Sequence, residues 1–249
     1  MKVCILGSGS KGNAVYVESG ETRVLFDAGF SWKELRRRLL YRGLDPDRIE
    51  AVVVSHEHSD HVGGLRVLGK KLPVYGTAGT LDAVRRWHPI FAPQHIAPGE
   101  WAEIGRLRFL PLPVAHDAAD PVCFLVEDDG ARAAFVTDLG VTTRALVNRL
   151  TDLSLAVIEA NHDLEMLLNG PYPWDLKQRI RGRHGHLSND ASATLAEAIA
   201  HSGLRHLFLA HLSETNNTPE LARRAVANSC GPARLHVCLQ AMPTDVINL

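Results

Sequence analysis

The stretch Ser55-His56-Glu57-His58-Ser59-Asp60-His61 constrains this chain more than any other. It follows the apolar run Ala51-Val52-Val53-Val54 and precedes the pair Gly63-Gly64, so it reads as a tight turn at the end of a buried strand. Three histidines and an aspartate within the six residues from His56 to His61 form a donor set suited to zinc or a similar divalent ion. A turn of this kind aims alternate side chains at two neighbouring centres. Four further apolar runs end in groups able to bind a metal or move a proton: FLPLPVAH at His116, AAFVTD at Asp138, LAVIEANHD at Glu159 to Asp163, and LFLAH at His211. Each alone is weak, since a strand-end histidine is usually a surface or hydrogen-bonded residue. Together they predict that these strand ends meet on one edge and crown it with ligands. His88, His95, His201, His206 and His236 lack such company and read as structural.

The rest of the chain supports a sizeable α/β core. At 249 residues and 45% hydrophobic content, apolar runs of strand length alternate with amphipathic segments and no low-complexity tract or linker intervenes, so one domain over 1–249 is expected. Strands are expected at Lys2 to Leu6, Ala14 to Glu18, Thr22 to Asp27, Ala51 to Ser55, Val74 to Tyr75, Arg106 to Ala115, Val122 to Glu127, Ala131 to Thr137, Leu155 to Glu159 and Leu204 to Ala210. Helices are expected after Ser31, after Ser188 or Asn189 with an end at Gly203, and after Thr218, each behind a capping residue. The first strands come as hairpins, which argues for two mixed sheets flanked by helices and against a doubly wound parallel sheet.

Charge excludes a global field: 27 basic residues face 28 acidic ones, so any polyanion site is local. No run resembles a signal core or a membrane span, which predicts a cytosolic address and no membrane partner. Cys4, Cys123, Cys230 and Cys238 show no C-x-x-C spacing and read as reduced packing residues.

Gly7-Ser8-Gly9-Ser10-Lys11-Gly12 spells the G-x-G-x-x-G of a dinucleotide loop. That motif requires a helix whose first amides hold a pyrophosphate. Here Ala14-Val15-Tyr16-Val17 follows, β-branched and aromatic, then a turn at Glu18 to Glu21 and a second strand. The reading is a hairpin without a nucleotide cofactor. Its amides, with Ser8, Ser10 and Asn13, are then candidates to contact a substrate phosphate at the metal edge.

Through VLFDAG, the SHEHSDH turn, His116, Asp138 and His211, taken in order, nearly the whole sequence resembles the metallo-β-lactamase fold. The resemblance implies a four-layer αββα sandwich of two mixed β-sheets, an α/β (α+β) architecture, with two divalent metal ions along one edge. It implies His56, His58 and His116 on one metal, Asp60, His61 and His211 on the other, Asp138 between them, and Asp27 supporting the histidine turn. In hydrolases of this fold a metal-bridging hydroxide is the nucleophile, the general logic of two ions clamping attacking and leaving oxygens. Zinc suits the donors, and manganese or iron is also admitted by mixed nitrogen and oxygen ligands.

The third quarter of the chain narrows the reaction. Glu159 precedes a basic stretch with Lys177, Arg179, Arg181 and Arg183, and Gly185-His186-Leu187-Ser188 is similar to the G-H-x-S step of the phosphodiesterase branch of this fold. Phosphodiester cleavage needs positive charge on a non-bridging oxygen and a proton for the departing alkoxide. His186 is expected as general acid or phosphate contact, Glu159 as its orienting partner and Asp60 as the third catalytic group, with His162, Ser188 and Asn189 beside the substrate. GSGSKGNA, AHDAADP, EANHDLEML, PYPWDLKQRI, GHLSN and LAHLSETNN more specifically resemble the WalJ/YycJ group. This implies 5′-to-3′ exonuclease activity on single-stranded DNA, near cell-wall two-component signalling. The competing readings are a diesterase for cyclic or small phosphodiesters, a thioester or lactam hydrolase, and a non-catalytic metal-stabilised partner in signalling. Oligomeric state is not legible.

Overall fold

The computed structural model describes residues 1–249. Two seven-stranded sheets carry the fold. The first contains β1 (Lys2–Gly7), β2 (Ala14–Ser19), β3 (Thr22–Phe26), β4 (Ala51–Val53), β5 (Val74–Gly76) and β6 (Pro93–His95). The second contains β7 (Ala102–Ile104), β8 (Leu107–Pro113), β9 (Val122–Asp128), β10 (Ala131–Val136), β11 (Leu155–Glu159), β12 (His206–Ala210) and β13 (Arg234–Val237). A last strand, β14 (Ile247–Asn248), pairs antiparallel with β1 and closes the first sheet. In the first sheet β1, β2 and β3 pair antiparallel and β3 to β6 parallel; in the second β7 to β10 pair antiparallel and β10 to β13 parallel. The two sheets are thus built alike.

Alternation along the strands makes the layers. Val3 and Ile5 of β1, Phe124 and Val126 of β9, and Leu155 and Val157 of β11 face one shared core between the sheets. Their neighbours Cys4 and Leu6 face an outer layer with Leu35 and Leu39 of α1 (Trp32–Tyr41), while Leu125, Ala156 and Ile158 face another outer layer. A period of two sends successive side chains to opposite faces, so strands apolar on both faces must be covered on both. Phe26 stands at the centre of the shared core, its ring 5.8 Å from Phe109 and 5.2 Å from both Phe124 and Phe135 in edge-to-face arrangements. The remaining helices are α2 (Ser59–Val62), α3 (Leu65–Leu68), α4 (Ala78–Arg85), α5 (Arg144–Val147), α6 (Leu164–Asn169), α7 (Trp174–Arg181), α8 (Asn189–Ile199) and α9 (Pro219–Val226). α1, α3 and α4 cover the first sheet, and α5, α8 and α9 the second, completing the αββα sandwich. No helix is long and apolar enough to cross a membrane. All four cysteines are buried and free.

Several expected boundaries shift, most of them at one edge. β3 ends at Phe26 and not Asp27, β4 at Val53 and not Ser55, β8 at Pro113 and not Ala115, and β10 at Val136 and not Thr137. The cause is local: Asp27 and Asp138 adopt φ of 59° and 58°, and the Ser55 amide donates to the Asp27 carboxylate at 2.8 Å in place of a ladder partner. α8 stops at Ile199, short of Gly203, because Ala200 is already extended and a turn at His201 delivers the chain to β12. The short strands β6, β7, β13 and β14 were not legible in the sequence pattern.

Candidate metal centre

β1 runs parallel to β3, and β8 to β10, because each pair is separated by one antiparallel neighbour. The carboxyl ends of β1, β3, β4, β8, β10, β11 and β12 therefore emerge at one edge of the sandwich, where open α/β sheets place their ligands. Each of those ends leads into an expected site residue: the Ser8 to Asn13 loop, Asp27, the SHEHSDH turn, His116, Asp138, Glu159 and His211. Asp27, Asp138 and His211 all have positive φ, 59°, 58° and 56°. Such strain in residues other than glycine turns each side chain sharply off its strand, and it collects where function demands it.

Three loops interlock to fix the turn. The Asn13 amide donates to the Asp60 carbonyl at 2.7 Å, the Ala28 amide to the His61 carbonyl at 2.8 Å, and the Gly29 amide to the Asn13 carbonyl at 2.8 Å. Gly29 is needed for this closeness, since a Cβ there would fall 1.6 Å from the Asp60 carbonyl oxygen. The carboxylate of Asp27 accepts from the Ser55 hydroxyl and pairs with His61 Nδ1, both at 2.8 Å.

The donor atoms gather as four overlapping groups, each with its atoms within 4.8 Å of one another. They are His56, His58 and His116; Asp60, His61 and His211; His56, His61 and Asp138; and Asp138, Glu159, His186 and His211. Every ligand expected from the sequence lies in at least one of them. In His56, His116 and His211, Nδ1 engages the protein and Nε2 is left toward the other donors. His56 Nδ1 lies 3.0 Å from the Ser55 hydroxyl, His116 Nδ1 3.1 Å from the Gly185 carbonyl, and His211 Nδ1 3.0 Å from Glu159. Partners of this kind orient metal-binding imidazoles and set their tautomers.

The pocket of donors fits divalent cations. His56 Nε2 and Asp138 Oδ2 are buried without any hydrogen-bond partner, a costly arrangement that a cation between them relieves. Charge points the same way. Burial alone would lower His61, yet Asp138, Asp27 and Asp60 push it up to about 9; burial likewise opposes, but Asp138, Asp60 and Glu159 override it for His211, which is raised. Burial would raise Asp60 and Glu159, but the imidazoles of His211 and His61 hold the first well below the usual carboxylate range and those of His186 and His211 the second. His56 and His116 are pushed down by burial, and so are ready as neutral ligands. The carboxylate side draws positive charge, which protons supply in the bare protein and a metal displaces when it binds.

His186 Nδ1 lies 2.8 Å from Glu159 Oε1, and the Leu187 amide donates to Glu159 Oε2 at 2.9 Å. The Gly185 of this step sits so close that a Cβ would meet the Ile180 carbonyl oxygen at 2.1 Å. Apart from Ser10, the remaining expected residues are engaged within the protein. Ser8 donates to Asn13 and accepts from the His211 amide at 2.9 Å. The Asn13 side-chain nitrogen lies 3.2 Å from Asp60 Oδ2 and 3.0 Å from His61 Nε2, so it braces the donors. Ser188 caps α8, Asn189 pairs with Asn217, and His162 is buried, with its backbone bridging Ser188 and Asn189. Ser10 alone of the set faces solvent. Of the basic stretch, Lys177 is buried and donates to the Leu168 carbonyl, and Arg179 pairs with Asp117 at 2.5 Å; Arg181 and Arg183 are exposed. Sequence reasoning missed Asn161, whose side chain donates to the His211 carbonyl at 2.9 Å; its place two residues after Glu159 was the available signal. The histidines set aside as structural include His206 and His236, which stack with Phe208 instead of joining the centre.

Comparison with known proteins agrees with this geometry. The model of the β-lactamase superfamily domain matches residues 22–212. The chain is 36% identical to exodeoxyribonuclease YycJ of Bacillus anthracis over 90% of its own length and 86% of the relative's. It is 33% identical to exodeoxyribonuclease WalJ of Streptococcus pneumoniae over 95% and 90%. The metallo-β-lactamase fold protein YhfI of Bacillus subtilis superposes with a TM-score of 0.74 at 17% identity, covering 98% of each chain, which shows the shared fold. The strand-end donors, the two-sheet scaffold and these matches together make the chain a member of the β-lactamase superfamily, of the WalJ/YycJ type, and a metal-dependent hydrolase.

Proposed function

We propose that the chain is a two-metal phosphodiesterase that removes nucleotides from the 5′ end of single-stranded DNA. The observation that carries this reading is the His186–Glu159 pair at 2.8 Å beside a donor set that is already complete without it. A site that only held metal for stability would be closed and would need no oriented acid. The relatives named exodeoxyribonucleases support nucleic acid as the substrate, and the exposed Arg181 and Arg183 near His186 supply local positive charge in a chain of net charge −1.

In this reading His56, His58 and His116 would hold one ion and Asp60, His61 and His211 the second, and Asp138 would serve both. Zinc suits the five imidazoles and two carboxylates among these residues. When bound, such ions supply Lewis acidity toward a non-bridging phosphate oxygen and toward water. The chain's own residues do the rest. Glu159 fixes His186 by its Nδ1 and stabilises its protonated form, so that the other ring nitrogen presents a proton. As the water oxygen adds to phosphorus, its proton passing to the Asp60 carboxylate, the P–O bond to the departing nucleotide breaks and His186 gives its proton to the departing oxygen. Asn13 and Asp27 keep Asp60 and His61 in place throughout. The test is incubation of zinc- or manganese-loaded protein with 5′-labelled single-stranded DNA, with duplex DNA, RNA and a small cyclic diester in parallel. Release of the label as a mononucleotide from the first turnover on each strand is expected; cleavage of the cyclic diester alone would overturn the proposal.

A further inference from the structure

A cavity of about 200 Å³ opens against His186, between α7 and the Gly185-His186 step, walled by Tyr172, Leu176, Arg179 and Ile180. It is smaller than the ~300–1,000 Å³ pockets that engulf a whole small ligand, and so it suits one ring system with its substituents outside. Its chemistry is divided. Tyr172 and Leu176 offer a half-buried aromatic and apolar wall, and the Tyr172 hydroxyl bonds nothing in the chain. Arg179 is held by Asp117 through Nε at 2.5 Å, which leaves its two terminal nitrogens without protein partners. A guanidinium fixed by one edge and free at the other is prepared for an anion with two oxygens to offer.

We infer that this cavity is the subsite for the 5′-terminal nucleotide of the strand, with Tyr172 stacking on the base and Arg179 holding the 5′ phosphate. The inference rests on the nuclease reading above. Its chemical reason is the position of His186. In hydrolysis that releases 5′-mononucleotides, water oxygen adds to the phosphorus between the first two nucleotides, its proton passing to Asp60, and the bond to the 3′ oxygen of the first one breaks. That 3′ oxygen takes the His186 proton, so the first nucleotide must lie against His186, where the cavity is. The phosphate stays on the second nucleotide. Each turnover thereby creates a new 5′ phosphate for Arg179.

Calorimetric titration of the metal-loaded full chain with thymidine 5′-monophosphate tests the subsite. Tyr172→Leu and Arg179→Ala are each expected to weaken binding about tenfold, the effect of losing one base stack or one charged contact, and Tyr172→Phe to restore it to within about threefold of the parent. Thymidine should be insensitive to Arg179→Ala, and Trp174→Ala, on the exposed side of α7, should change nothing. Equal affinity in the parent, Tyr172→Leu and Arg179→Ala, or inorganic phosphate binding as tightly as the nucleotide, would place the ligand on the metal edge alone and overturn the inference. Turnover of bis(p-nitrophenyl) phosphate by the same samples separates the two readings. Turnover without cavity-dependent binding defeats the subsite only, and binding without turnover defeats the phosphodiesterase.

Discussion

The two halves of the sandwich share a plan but not a way of supplying donors. Each has antiparallel strands that pass into parallel ones, and in each a strand end bears an aspartate at positive φ, Asp27 after β3 and Asp138 after β10. The first half concentrates His56, His58, Asp60 and His61 in one turn, held by hydrogen bonds that Asn13 donates and the Asp27 carboxylate accepts, both from neighbouring loops. The second spreads His116, Asp138, Glu159, His186 and His211 over five separate segments; Glu159 ends a strand, His211 directly follows one, and Asp138 and His116 lie two and three residues beyond theirs. A contiguous turn needs only local geometry to present its donors. Dispersed donors depend on strand register, because a slip of one residue would move a side chain to the opposite face. The second half is therefore where the shared core between the sheets does most for the site.

The difference can be broken by substitution. Asp138→Ala should have the largest effect, since its carboxylate stands in donor groups with both His56–His61 and His211. Loss of both metals by elemental analysis and a fall of about 10⁴-fold or more in kcat/KM, ~5 kcal/mol, are expected; a variant that keeps one ion and most of its rate would show that the halves are independent. His186→Ala should lower kcat by about 10²- to 10⁴-fold while metal content is unchanged, the mark of a proton donor that is not a ligand. If metal is lost as well, His186 belongs to the donor set that includes Asp138 and His211.

Smaller effects sharpen the comparison. Phe124→Ala removes an aromatic from the core that both sheets share, and a loss of about 3–5 kcal/mol is expected in denaturant unfolding, in a single transition. Two transitions would mean that the sheets fold as separate units. Asn13→Ala should weaken metal affinity by about 10- to 100-fold, measured by competition with a chelator, because it supports Asp60 and His61 without itself being a ligand. Ser188→Ala, which uncaps α8 one residue after the Gly185-His186-Leu187 step, should cost about 1 kcal/mol of stability.

The donor turn is legible along the chain because its chemistry is contiguous: a strand, then three histidines and an aspartate within six residues, can do little else. The strand-end histidines His116 and His211, with Asp138 and Glu159, were legible as candidates for a related reason, an apolar run that stops at a polar group. Hairpins against a Gly-rich loop were also decidable, because the residues after Gly12 favour a strand and no helix follows. What each polar side chain does was not. Asn13 and Ser8 looked like free loop groups, yet they bond to Asp60, His61 and the His211 amide, and Lys177 and Arg179 of the basic stretch are engaged within the chain. Strand ends were expected too long at the metal edge for a related reason. Asp27 and Asp138 take positive φ where their carboxylates meet other loops, Ser55 and His61 for the first and His61 and His211 for the second, and propensity does not register it. By itself the sequence determined the donor types, their order and the alternation that builds two covered sheets. Only the tertiary structure decided which nitrogen of each histidine faces inward, which carboxylates share them, and which cations stay free. Those depend on hydrogen bonds between residues as far apart as Ser8 and His211, and a pattern read along the chain has no access to distance through space.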